Sequence, residues 1–287
     1  MAIAAAFFGL LAGSLIDASA VTGGSAASLQ SAFQKVRADI ESNKFGKPLH
    51  LNSRQTSNTL SGDVYAIVDH PFERVQRALD DAKNWCNILI LHPNVKGCEP
   101  DGSAMTVALG RSELPVRFTH DVAASVNDYL DVRVNSPTGP FGTNDYRIRL
   151  EATPLDAKRT ILHLAYSHDY GLRAKLAMQA YFSTLGRGKV GFTVVDRDAE
   201  GKPVYVSDLR GGLERNAMRY YASIEAYVDS LSAPPDQQLE RRLRNWYAYT
   251  ERYPLQLQEE PGYLDAKRRE AQKVRAAGNQ SRASGAT

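Results

Sequence analysis

The spacing of apolar positions changes along the chain, and each change predicts an element. Leu29, Phe33, Val36 and Ile40 recur at helical steps within 26–43, which predicts an amphipathic helix. From about residue 60 the period falls to two. Val64, Ala66 and Val68 alternate with Asp63, Tyr65 and Ile67, as in a half-buried strand. Helical spacing returns in Phe72, Val75, Leu79, Ala82, Cys86 and Leu89, predicting one helix with Asp69 as its N-cap and Pro71 in its first turn. Between 104 and 170 the period is two again. The alternating sets are Met105, Val107 and Leu109; Val116, Phe118, His120 and Val122; Leu130, Val132 and Val134; Tyr146, Ile148 and Leu150; and Leu162, Leu164, Tyr166 and His168. Turn-forming runs at 100–102, 137–142 and 154–158 separate them. Strands apolar on one face and joined by short turns predict an antiparallel sheet with one wet face.

Residues 172–185 interrupt that sheet with helical spacing. Ala174, Met178, Tyr181, Phe182 and Leu185 make one stripe, Leu172 and Leu176 a second, and Arg173, Lys175, Arg187 and Lys189 flank both. Strand pattern returns at 190–196 and 203–207 around Gly201. A long helix follows at 208–231, with Leu213, Ala217, Tyr220, Ile224, Val228 and Leu231 on its buried face and Pro234-Pro235 as its stop. Beyond it, 236–253 reads as a helix that sets Trp246, Tyr247, Tyr249 and Tyr253 beside Arg241, Arg242 and Arg244. Residues 263–277 read as a solvated helix, and 278–287 as a disordered end.

Composition narrows the function classes. Of 287 residues, 43% are hydrophobic and 23% charged, the balance of a folded chain. Lys and Arg number 35 against 32 Asp and Glu, a net charge of +3, which argues against a nucleic-acid partner. Residues 3–16 are apolar and uncharged, and Ala18-Ser19-Ala20 follows with small residues at the positions signal peptidase reads. Residues 1–20 read as a signal peptide, or, since no Lys or Arg precedes the apolar run, as an N-terminal helix buried in the core; on the first reading the expected location is periplasmic or secreted. An oxidising compartment allows Cys86 and Cys98 to pair; their spacing equally allows two buried thiols, since Cα separation decides.

The segment Tyr65-Ala66-Ile67-Val68-Asp69-His70-Pro71-Phe72-Glu73-Arg74-Val75, continued by Asp80-Asp81, Trp85 and His92-Pro93-Asn94-Val95, resembles the opening of START-like (SRPBCC) domains. The resemblance covers roughly residues 60–231. It implies an α+β helix-grip fold: a curved antiparallel sheet wrapped around a long C-terminal helix, enclosing an apolar cavity for lipids, sterols or polyketides. Residues 21–58 are then an N-terminal helix and linker, 59–232 the ligand-binding domain, and 233–287 a helical extension. The helix at 172–185 is an insertion relative to the plain fold.

Motifs for covalent chemistry are missing or misplaced. Gly186-Arg187-Gly188-Lys189-Val190-Gly191 matches G-x-G-x-x-G but follows a helix and precedes a strand, the reverse of a dinucleotide site. His163 and His168 fall on opposite strand faces, which argues against a metal pair. No catalytic residue, metal or cofactor is assigned. The candidate ligand-binding residues are Trp85, which belongs to the START-like resemblance, and Phe118, His120, Tyr146, Tyr166, His168, Met178, Phe182 and Tyr220, each on the apolar side of its element. His120 and His168 read as satisfied core imidazoles, as groups that orient a ligand headgroup, or as an acid/base; His70 and His92 read as turn residues. The helix at 172–185 reads as a core-covering helix or as a lid over a cavity mouth, hinged at Gly171 and Gly186. Segments 172–189 and 236–253 are the places where a membrane or protein contact is expected. The expected function is binding of a hydrophobic small molecule, a lipid above all, for carriage or presentation in the periplasm. A cyclase/aromatase-type enzyme using His120 or His168, and an interaction module whose interior is filled by side chains, are the alternatives.

Overall fold

The computed structural model describes residues 24–184 and 186–284. The signal-peptide reading of 1–20 and the placement of Leu185 fall outside them. Period-two patterning yields one eight-stranded antiparallel sheet in the order β1-β2-β8-β7-β6-β5-β4-β3. The strands are β1 (Leu49–Gln55), β2 (Thr59–Val68), β3 (Val95–Asp101), β4 (Ala104–Leu109), β5 (Leu114–Val126), β6 (Tyr129–Thr138), β7 (Thr143–Pro154) and β8 (Thr160–Tyr170). Register shifts at Val95–Gly97, Val122–Ala124 and Asn144–Arg147 bend it, as inserted residues do. The C-terminal helix of the grip, α5 (Asp208–Ser230), runs 23 residues, about 35 Å, over the apolar face. Leu209, Leu213, Ala217, Tyr221, Ile224 and Val228 are buried on it. This is the α+β helix-grip arrangement.

Several details depart from the sequence pattern. The single helix expected after Asp69 is two: α2 (Phe72–Leu79) and α3 (Ala82–Leu89). Asp81 accepts from the Lys83 amide at 2.9 Å and caps α3, so a local side-chain bond competes with helix continuation. Pro71, not Asp69, holds the N-cap position of α2. The expected linker contains β1, paired with β2 from Leu49↔Ala66 to Gln55↔Leu60, so the sheet begins before residue 59. Helix α1 (Ala26–Glu41) lies on the convex face, where Leu29, Phe33 and Ile40 pack with Tyr129 and Ile161.

The tail after 231 is a structural brace. In α6 (Gln238–Glu251), Leu239, Leu243 and Trp246 are buried against α5, and Trp246 Nε1 donates to Ser223 Oγ at 3.0 Å. The aromatic face of 236–253 is therefore spent on packing, not on an outside surface. A short helix, α7 (Pro254–Leu257), leads to α8 (Tyr263–Ser284). The expected solvated helix instead buries Tyr263, Lys267 and Ala271 against β3, with Lys267 Nζ donating to the Val95 carbonyl at 2.5 Å. Helix α8 also continues through 278–284, where disorder was expected. Cys86 and Cys98 form a disulfide with Cα atoms 5.3 Å apart, tying α3 to β3. No helix among the described residues is long and apolar enough to cross a membrane.

Candidate functional site

The strand register collects the aromatic candidates at one end of the grip. It pairs Met105 with Phe118, His120 with Val134, Ser136 with Tyr146, Ile148 with Tyr166, and Leu60 with His168. Their rings touch in sequence. Phe118 meets Tyr146 edge-on at 6.3 Å, Tyr146 stacks on His168 at 5.0 Å, His168 lies 5.6 Å from Tyr166, and Tyr166 meets Tyr220 of α5 at 5.3 Å. Tyr220 then stacks on His92 at 4.8 Å. Five of the candidate residues thus form one cluster, and His92, read as a turn residue, belongs to it. Its sequence neighbour Pro93 gave a turn signal that hid a side chain only 2% exposed.

Trp85 and His120 stand together, 6.1 Å apart, where α3 meets β5. Trp85 Nε1 donates to the Leu79 carbonyl at 2.8 Å, the same carbonyl that His120 faces. Trp85 is therefore a satisfied core residue. His120 is left with an unpartnered Nε2; so are His92 at Nε2 and His168 at Nδ1. Asn216 lies beside His92 and Tyr166, yet His92 Nε2 has no partner in hydrogen-bond geometry.

All three imidazoles are over nine-tenths buried, and buried polar groups are ordinarily paired. Burial pushes the His168 pKa down to about 4, with the Asp169 charge opposing weakly. Burial, and then the charges of Arg219 and Lys267, hold His92 well below the ordinary value; burial lowers His120 as well. The interior thus presents three neutral imidazoles, each with a free donor or acceptor, set among aromatic rings.

One side of this interior is covered by the insert. Helix α4 (Leu172–Ser183) packs on α5, on β8 and on the 3-10 turn at Pro140–Gly142. Its seat is narrow: Ala174 is buried, Met178 and Phe182 are half-buried, and most other positions are exposed. Phe182 presses on Gly212 of α5, where a Cβ would stand 2.9 Å from the ring. At Gly211 a Cβ would stand 2.7 Å from the Val206 carbonyl, so this glycine pair is what allows the insert so close to α5. Tyr181 does not share the inner face. It is exposed, and its hydroxyl accepts from Lys189 Nζ at 2.8 Å. Gly186 packs under the Tyr181 ring instead of standing free as a hinge. The insert then forms a hairpin of β9 (Val194–Arg197) and β10 (Pro203–Tyr205).

The return of the insert is pinned by Glu214, which is fully buried. Its carboxylate accepts from the amides of Phe192 at 2.6 Å and Thr193 at 2.9 Å, from Thr193 Oγ1 at 2.6 Å, and from Ser53 Oγ. No sequence motif pointed to this residue. A second polar cluster lies on the convex face, away from the interior. There His163 is held between Glu151 and Asp63, both at 2.9 Å, and Tyr129 donates to Glu151 at 2.5 Å.

Two clefts open elsewhere. One, of about 420 Å³, lies between α5 and α6 and is lined by Lys47, His70, Glu225, Asp229, Arg241 and Arg252 among others. The other, of about 250 Å³, lies by Tyr247 and Pro254. None of the candidate ligand residues lines either. Among the described residues no group of His, Cys, Asp and Glu is placed to hold a metal ion.

No family model and no curated protein matches the chain. Solved structures similar to part of it include truncated norcoclaurine synthase from Thalictrum flavum, at 10% identity over 46% of this chain and 91% of that one, with a TM-score of 0.34. Human StAR-related lipid transfer protein 5 is 12% identical over 72% of this chain and 98% of that one, with a TM-score of 0.36. A conserved protein from Geobacillus kaustophilus is 14% identical over 60% of this chain and 95% of that one, at 0.34. The helix-grip arrangement is seen in the strand order and in the long helix α5 over the sheet.

Proposed function

We propose that this chain is an exported helix-grip protein that takes up a hydrophobic small molecule of the lipid class between its sheet and α5. The bound molecule would be carried or presented outside the cytoplasm. One observation carries the reading: His92, His120 and His168 are buried beside contacting aromatic rings, and each keeps a nitrogen without a partner. An unmade hydrogen bond in a buried site costs about 1–3 kcal/mol, and a ligand headgroup or a water can meet it. Apolar burial, at about 25 cal/mol per Å², supplies the affinity, and the imidazoles supply orientation. The narrow seat of α4 supports entry beneath it, with Met178 and Phe182 moving away with the helix. No covalent step is required.

A second reading has its own support. The rings of Phe118, Tyr146, Tyr166 and Tyr220 already touch, as in a module whose interior is closed by its own side chains. Native mass spectrometry of protein purified from the periplasmic fraction, followed by organic extraction, separates the two. A bound mass released by extraction, with uptake weakened roughly tenfold or less in His168→Gln, fits the lipid-binding reading. Protein that is free of ligand and takes up no fluorescent fatty acid or phospholipid probe rejects it.

A further inference from the structure

We infer that the outer face of α4 is a docking surface for an anionic lipid bilayer. That face has two properties seldom found together on a well-packed helix. Leu172 is 73% exposed and Leu176 57%, four residues apart and so on one side of the helix, while Tyr181, 39% exposed, stands at the C-terminal end on another side. Such side chains are left outside when something else covers them. The charge around them is of one sign: 172–189 carries Arg173, Lys175, Arg187 and Lys189 and no Asp or Glu, in a chain whose totals nearly cancel at 35 against 32.

The choice of occupant follows from chemistry and size. Apolar side chains flanked by cations match the headgroup boundary of a negatively charged membrane, where the apolar groups enter and the cations meet phosphates. A stable protein interface needs about 800 Å² per partner and a ring of mixed polar groups, more than one short helix without a single acid offers. The neighbouring hairpin provides an internal contrast. It also exposes Val195 and Val204, but Asp196, Asp198 and Glu200 accompany them, so the contact is assigned to α4 and not to the hairpin. Lys189 both donates to the Tyr181 hydroxyl and lies over the ring at 5.4 Å, which holds a cation and an aromatic side by side at the helix end. The opposite face of the same helix carries Met178 and Phe182 toward the interior. Docking would therefore bring the covered mouth against the bilayer, a consequence that rests on the lipid-binding reading, whereas the docking does not.

The test is vesicle co-sedimentation of the mature chain. The probes are vesicles of phosphatidylglycerol and phosphatidylcholine in equal parts, and vesicles of phosphatidylcholine alone. Binding is expected to the anionic vesicles only, and it should fall as salt approaches 1 M, where screening reaches about 3 Å. Each cation near such a surface contributes about fivefold, so Arg173→Glu with Lys175→Glu should weaken binding by more than about tenfold. Leu172→Asp with Leu176→Asp should do the same. Because those leucines are exposed, its circular dichroism and melting temperature should match the wild type. No binding to anionic vesicles, equal binding to neutral ones, or binding indifferent to both double substitutions would overturn the proposal. Recovery of a protein partner lost on Leu172→Asp, without vesicle binding, would overturn it too. Failure of the lipid-binding reading is seen separately, as absence of an extractable ligand with vesicle binding intact.

Discussion

Replacing Glu214 should show how the insert is held. The carboxylate takes two backbone amides, of Phe192 and Thr193, at one oxygen, and two hydroxyls, of Thr193 and Ser53, at the other. Glu214→Ala leaves both amides without an acceptor. Each buried unsatisfied donor costs about 1–3 kcal/mol, so the loss should be about 2–6 kcal/mol, a large share of the 5–15 kcal/mol that holds a typical domain together. Glu214→Gln should behave quite differently. Its carbonyl oxygen can keep both amides, and its NH2 can donate to the two hydroxyls, which accept as readily as they donate. Ser53 Oγ already accepts from Arg210 Nε at 2.7 Å and retains a second lone pair. The cost should be about 1 kcal/mol, most of it from losing a charge-assisted bond. Urea unfolding by linear extrapolation measures both variants, and hydrogen exchange at the amides of Phe192 and Thr193 locates the effect. Equal losses for Ala and Gln, or unchanged exchange at those amides in Glu214→Ala, would refute the assignment of Glu214 as the anchor of the insert.

Further outcomes follow from other sites. His168 is neutral in the folded chain, because burial brings its pKa down to about 4, while the unfolded value is near 6.5. Its contribution is therefore present above about pH 6.5 and lost as the pH falls toward 4, so His168→Gln should flatten acid unfolding in that window, with NMR titration of the ring as the check. His163 has the opposite sign. Burial opposes its charge, but Asp63 and Glu151 outweigh it and raise the pKa. Its contribution is full below about pH 6.5 and lost as the pH rises through the folded value, and a pH series of melts on His163→Gln should lose that dependence. Replacing both Cys86 and Cys98 by Ala should cost roughly 3 kcal/mol in urea unfolding, the chain-entropy value for a loop of this length. Met178→Ser with Phe182→Ser should leave the melting temperature nearly unchanged and speed exchange of a fluorescent lipid if α4 is a mobile cover. A large fall in melting temperature with unchanged exchange would identify α4 as fixed core.

What the sequence disclosed depended on whether a signal was periodic. The strands from Met105 to His168 and the helix from Asp208 could be read because a face of each is buried over most of its length; β5 departs from this beyond His120, where Val122 is exposed beside the register shift at Val122–Ala124. That same alternation put Phe118, Tyr146, Tyr166 and His168 on one face. Strand β1 escaped because only Leu49 and Leu51 in it are apolar, too short a run to show a period, although Leu49 is fully buried in the core. The break between α2 and α3 escaped because the apolar stripe runs through it, while the cap at Asp81 is a single polar bond. His92 and Glu214 escaped for a related reason. Glu214 takes its partners from distant elements, and His92 is stacked on Tyr220 of α5, so no local pattern marks either residue. In the tail, Trp246 stood among arginines that suggested an outside contact and Lys267 in a charged run that suggested solvent, whereas their partners, Ser223 and Val95, lie far away in the chain.

The position of β2 between β1 and β8 governs the order in which this chain can assemble. The β1–β2 hairpin closes locally, but the other edge of β2 waits for β8, with Thr59 reaching Asp169 across a separation of 110 residues. Closing a loop that long means losing chain entropy before any pairing energy returns, and chains dominated by such distant contacts fold slowly. Until residue 170 is available, β2 presents an open row of backbone donors and acceptors, the edge that invites pairing with another chain. A fragment ending before β8 should therefore associate instead of folding, and synthesis or passage through a membrane must deliver β8, and then α5, before the grip can close.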